Sequence, residues 1–139
     1  MNMKALLLLP MLAAAPYALI ETRDPDKTDP NNFQVLIRAV ESNAYWDAPD
    51  EMKLEPGPHF IQMTAARSGK RITKANHDKS LYINLKPCFR YFVTGQVKSE
   101  LDTDWVIRVL GNERILACKT KEDIQQEKAD KKAKRQAKA

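Results

Sequence analysis

Five runs in which apolar and polar side chains alternate one by one constrain the fold of this chain more than any other feature. Residues 33–40 set Phe33, Val35, Ile37 and Ala39 on one face, and residues 59–65 set Ile61, Met63 and Ala65 against Phe60, Gln62 and Thr64. Residues 81–85 turn Leu81, Ile83 and Leu85 inward; residues 89–97 group Phe89, Tyr91, Val93 and Val97; residues 105–109 group Trp105, Ile107 and Val109. A period of two belongs to extended chain, whose successive side chains point to opposite sides, and not to helix. Glu55-Pro56-Gly57-Pro58, Ser68-Gly69 and Lys86-Pro87 supply turn chemistry between the runs. The expected fold is all-β, a small antiparallel β-sandwich over residues 33–118, with a charged C-terminal tail that is helical or disordered. Residues 41–54, with Tyr45, Trp46 and Met52, fit a long loop or a further short strand. Residues 111–118 are expected to turn back into a last strand over 114–118.

The N-terminus reads Met1-Asn2-Met3-Lys4, then an apolar run ending in Ala13-Ala14-Ala15. A lysine, a greasy centre and a small-residue exit are the layout of a secretory signal peptide, expected over residues 1–18. The run is about eleven residues long, against the roughly twenty that a spanning helix needs. No later stretch approaches that length, so no transmembrane segment is expected after the leader. The expected location is periplasmic or secreted. Residues 19–32 hold two Asp-Pro steps and an Asn pair and are expected to form an irregular lead-in. The two cysteines, Cys88 and Cys118, then predict one disulfide, because an exported chain meets an oxidising compartment.

The formal net charge is +5, but it is unevenly placed. Residues 19–118 hold 14 Lys and Arg against 14 Asp and Glu, whereas residues 119–139 hold 8 against 4. The basic excess therefore belongs to the tail, and its expected partner is an envelope protein or an anionic envelope polymer, not nucleic acid. Thr120, with Asp123 three residues on, reads as a helix start. Glu127 with Lys131 and Asp130 with Lys134 add favourable one-turn pairs. The apolar stripe is only Ala129, Ala133 and Ala137, too weak to dock firmly.

Catalytic and metal chemistry find no pattern to rest on. His59 and His77 lack the companions that a zinc site needs. Asp24, Asp26 and Asp29 lack the central glycine and distal glutamate of a calcium loop. Neither a cysteine–histidine nucleophile nor a Gly-x-Ser-x-Gly elbow is present. The expectation is no enzyme, no cofactor and no metal. Two groups of residues are candidate binding sites. Arg67, Lys70, Arg71 and Lys74 cluster around Ser68-Gly69 at an expected hairpin tip and suit phosphate or carboxylate; solvated loop charge is the usual explanation of such a group. Tyr82 and Phe92, with Val106 and Leu110, fall on the face opposite the main apolar set. They form either an exposed binding patch or the bed for residues 41–54, where Tyr45 and Trp46 need a place.

The stretch Leu54-Glu55-Pro56-Gly57-Pro58-His59-Phe60-Ile61-Gln62-Met63 resembles the turn-into-strand of small bacterial PEGA-type β-sandwich modules. Lys86-Pro87-Cys88-Phe89-Arg90-Tyr91-Phe92-Val93 is similar to the tyrosine-containing strand that closes them. Such modules carry an Asp-Gly turn after the first strand, where this chain has Glu41-Ser42-Asn43. The resemblance implies an exported, non-catalytic accessory module of a bacterial envelope and carries over no site residues. A secreted or periplasmic inhibitor or ligand-binding protein is the alternative expectation, and an enzyme the third.

Overall fold

The computed structural model describes residues 15–23, 28–66, 72–99 and 101–137. Residues 1–14, most of the span expected to be a signal peptide, together with Asp24, Asp26 and the loop residues Arg67, Lys70 and Arg71, lie outside the described residues. Two sheets are formed. The first holds β1 (Ala18–Glu21), β2 (Asn32–Phe33), β5 (Glu51–Leu54), β8 (Phe89–Gln96) and β9 (Val106–Arg114). The second holds β3 (Val35–Val40), β4 (Asn43–Ala44), β6 (Gly57–Ala65) and β7 (Asp78–Leu85), in the order β4-β3-β6-β7. A helix, α1 (Lys121–Ala137), ends the described chain.

The alternating run at 33–40 serves both sheets. Phe33 pairs with Gly95 in the first, and Val35 pairs with Ala65 in the second, with only Gln34 between. Phe33, Val35, Ile37 and Ala39 are all buried, as the alternation requires. One buried cluster draws Ala18, Ile20, Phe33, Tyr91 and Val93 from the first sheet and Val35, Ile37, Ile61, Met63 and Leu85 from the second. Trp105 joins it, its ring edge-on to Phe33 at 5.3 Å between centroids and its indole N–H donating to the Asn76 carbonyl at 2.6 Å. Apolar area removed from water at about 25 cal/mol per Å² is the main force holding such a cluster together.

Four expectations need correction. The lead-in is not irregular throughout: β1 starts at Ala18 and lies between β5 and β8, running parallel to β8, so the sheet is not wholly antiparallel. All four β1 residues are buried, because both faces of the strand are covered. A strand covered on both faces reads as a continuous apolar run and gives no alternation to find. Residues 41–54 do form short strands, β4 and β5, as one of the two expectations had it, but Tyr45 and Trp46 stay exposed, Trp46 at 97 %, and find no bed on the outer face. Nor does the chain reverse at Gly111. β9 runs unbroken to Arg114 along β8, with an extra residue at Leu110 between the Phe92–Gly111 and Val93–Val109 pairs. Val109, expected inward, is 41 % exposed, since β9 lines the edge of its sheet beside this bulge.

The turn between β3 and β4 has two residues, Glu41 and Ser42, at φ 50° and 71°. Left-handed geometry at both positions is the hairpin turn that suits strand twist and favours Asn-Gly. Here a side chain compensates. Both carboxylate oxygens of Glu41 accept from the Phe60 N–H, at 3.2 and 3.1 Å, and one lies 2.6 Å from His59 Nδ1.

The tail is helical. Thr120 and Asp123 cap α1 reciprocally: the Asp123 carboxylate accepts from the Thr120 N–H at 2.9 Å, and Thr120 Oγ1 accepts from the Asp123 N–H at 3.2 Å. No residue of α1 is buried. Among the described residues no helix is long and apolar enough to cross a membrane.

Candidate functional site

Three places in the fold could serve a partner, and the first is the outer face of the second sheet. Because β6 and β7 pair in register, Phe60 stands directly opposite Tyr82, and one step along, Gln62 stands opposite Ser80. Ile61 and Met63 point into the core, so Phe60 and Gln62 point out. Tyr82 is 72 % exposed and Phe60 41 %. Beside the aromatic pair lies an open cavity of about 490 Å³ whose lining includes Arg38, Gln62, Thr64, His77, Asp78 and Ser80. Arg38 occupies the bulge of β3 between Ile37 and Ala39, which turns its side chain outward. Its carbonyl accepts from the Tyr45 N–H at 2.8 Å, fixing Tyr45 beside it. His77 Nδ1 is 2.6 Å from Thr64 Oγ1, and that hydroxyl donates to the His77 carbonyl at 3.3 Å. Lys79, also on the lining, is held by Asp104 at 2.7 Å. That lysine, and next the Trp105 N–H, hold the Asp104 carboxyl below its ordinary range.

The second place is the disulfide end. Cys88 and Cys118 are bonded, with Cα atoms 5.2 Å apart. Cys88 sits in the β7–β8 turn at φ 64°. Its N–H donates to the Tyr17 carbonyl at 2.7 Å, and its carbonyl accepts from the Ile115 N–H at 2.8 Å. Leu19, Ile115, both half-cystines and Tyr17 form a second small cluster on the far side of β1 from the main core. Lys53 Nζ lies 4.1 Å from the centre of the Tyr17 ring. Outside this cluster an ion-pair ladder crosses the first sheet. Arg90 meets Glu113 on β9 at 3.0 Å and Glu51 on β5 at 3.2 Å, while Arg23 holds the buried Glu21 at 2.5 Å.

The third place is α1. Its first half carries Glu122, Asp123 and Glu127 against Lys121, and its second half carries Lys128, Lys131, Lys132, Lys134 and Arg135 against Asp130 alone. The acidic end is anchored: Asp123 pairs with Arg114 of β9, and Glu127 with Lys119 at 2.5 Å. This order of charge complements the helix dipole, negative side chains at the N-terminus and positive ones at the C-terminus. The Asp123 carboxyl is held below its usual range, first by the Thr120 N–H, then by the Thr120 hydroxyl and the Arg114 charge.

The sequence-derived candidates separate in space. Tyr82 and Phe92 do not share a surface: Tyr82 is on β7 of the second sheet, and Phe92 is half-buried on β8 of the first. Lys74 is exposed in a short 3₁₀ turn, Lys74–Asn76. The disulfide leaves no free thiol, which removes a cysteine nucleophile. His59 is held between Glu41 and the Glu55 carbonyl, at 2.6 Å to each. Arg38 and Phe60 were not singled out from sequence. Phe60 was legible as an outward residue of its run, whereas Arg38 needed the bulge. No family model, curated protein or solved structure matches the chain.

Proposed function

We propose that the chain is an exported, non-catalytic binding module of the bacterial cell envelope, its two sheets stacked as a small β-sandwich. Its basic helix end engages an acidic polymer of that envelope. The observation that carries the reading is the polarity of α1: the acidic half is tied to β9, and the basic half is left exposed with no ion pair among the described residues. The weak alanine stripe gives no apolar face for insertion into lipid, so the attraction is electrostatic. The leader-like N-terminus and the disulfide support export, and the PEGA-type resemblance supports an accessory role. Deleting residues 119–139 should abolish retention on envelope extract and leave the melting temperature unchanged. Retention that survives this deletion and high salt contradicts the reading.

A second reading, a periplasmic or secreted ligand-binding protein, is favoured by one observation: the aromatic pair and the cavity share the uncovered face of the second sheet.

A further inference from the structure

The uncovered face of the second sheet has a composition that selects among ligands. We propose that it is a binding site for an uncharged, polyhydroxylated chain, a neutral glycan, with Tyr82 and Phe60 as the stacking platform and Arg38, Gln62, Asp78 and Ser80 as the groups that bond its hydroxyls. This rests on the ligand-binding reading of the sheet face and is independent of the tail.

Three features point to this class. The first is the platform. Phe60 and Tyr82 are direct cross-strand neighbours, with Cβ atoms about 5 Å apart in such a pair, and both rings are open to solvent. A sugar ring with equatorial hydroxyls presents a flat face of C–H groups, which an aromatic surface covers while excluding water. The second is position. The Gln62–Ser80 pair is two residues along the strands from Phe60–Tyr82, about 7 Å at the rise of an extended chain. One ligand of two or more rings reaches both the platform and the cavity.

The third is charge. Arg38 and Asp78 each stand without an ion pair among the described residues, on opposite sides of β6, and Lys79 is already neutralised by Asp104. The lining therefore offers donors (Arg38, the Gln62 amide) and acceptors (Asp78, the Gln62 carbonyl) in near balance. A polyanion would meet Asp78 and gain from Arg38 alone. Hydroxyl groups, each both donor and acceptor, use the whole set.

The test is calorimetric titration of the full chain with cellohexaose and chitohexaose as neutral probes and oligogalacturonate as the charged one. The site predicts binding of a neutral hexasaccharide, with weaker binding of the charged one. Tyr82→Ala should weaken it about tenfold or more and Tyr82→Phe little; Arg38→Ala and Gln62→Ala should each weaken it severalfold. Tyr82 is largely exposed, so these variants fold, and unchanged melting curves check that. Deleting residues 119–139 should leave hexasaccharide binding intact. No neutral hexasaccharide binding, or binding indifferent to Tyr82→Ala, overturns the proposal. Preference for oligogalacturonate that vanishes on tail deletion also overturns it, and assigns the affinity to α1.

Discussion

Cys88 and Cys118 are bonded across 30 residues of chain, and neither lies in a strand. Cys88 is in the tight turn before β8, and Cys118 follows a turn that leaves β9 at Ile115. The bond closes the β8–β9 hairpin at its open end and fixes the root of α1. Tyr17 binds the same spot from the N-terminal side. Closing a loop of this size restricts the unfolded chain and stabilises the fold by about 3.6 kcal/mol. Replacing both cysteines with alanine should lower the stability read by urea denaturation by about that amount. A loss under about 1 kcal/mol would show that the backbone bonds at Tyr17 and Ile115 suffice.

Gly95 and Gly111 make a matched pair. A Cβ built on Gly95 would lie 2.5 Å from two carbons of the Phe33 ring, which is buried and braced by Trp105; on Gly111 it would meet nothing within 4 Å. Gly95→Ala should therefore destabilise by about 1–3 kcal/mol, the range for overpacking a core. Gly111→Ala should change stability by less than about 0.5 kcal/mol. Thermal melts of the two variants check the contrast.

The turn at Glu41 and Ser42 separates backbone strain from side-chain compensation. Both residues are left-handed, but only the Glu41 side chain bonds β6. Ser42→Gly should stabilise by about 0.5–1 kcal/mol, since glycine adopts positive φ freely. Glu41→Gly should not, because it leaves the Phe60 N–H without its carboxylate acceptors. Equal gains from both would mean that the carboxylate contributes nothing.

Asp123 makes the start of α1 sensitive to acid. Its carboxyl is held below the usual range, so the folded state favours the ionised form. The stabilisation is complete above the unfolded carboxyl value of about 3.9 and is lost as pH falls through the lower folded value. The Thr120 amide resonance should titrate with a midpoint below that of an ordinary aspartate, and Asp123→Asn should remove the transition. A midpoint at or above the ordinary value contradicts the cap.

The sequence showed most of the fold where one side of a strand meets the core. The runs at 33–40, 59–65, 81–85 and 89–97 appear as strands with Phe33, Ile61, Met63, Tyr91 and Val93 buried as their spacing requires. The Thr120–Asp123 cap was legible because its two halves are local. Strand β1 was hidden because its four residues are covered on both faces, leaving no period. The candidate site was half-visible. Tyr82 was found as an outward residue, but pairing it with Phe92 assumed one common outer face. The two outer faces diverge, and the neighbours of Tyr82 are Phe60 and the Arg38 bulge, which depend on strand pairing and register.

The central claim, that the basic end of α1 engages an acidic envelope polymer, is tested most directly by sedimentation with envelope fragments stripped of protein by protease. The full chain is compared with a variant carrying Lys128→Glu, Lys131→Glu, Lys132→Glu and Lys134→Glu. The native chain should pellet at about 0.05 M salt and be released at about 0.5 M, as screening shortens the reach of charge. The variant should stay in solution at both. Loss of binding on stripped fragments but not on untreated ones would place the partner among envelope proteins. Equal pelleting of the native chain and the variant would contradict the account.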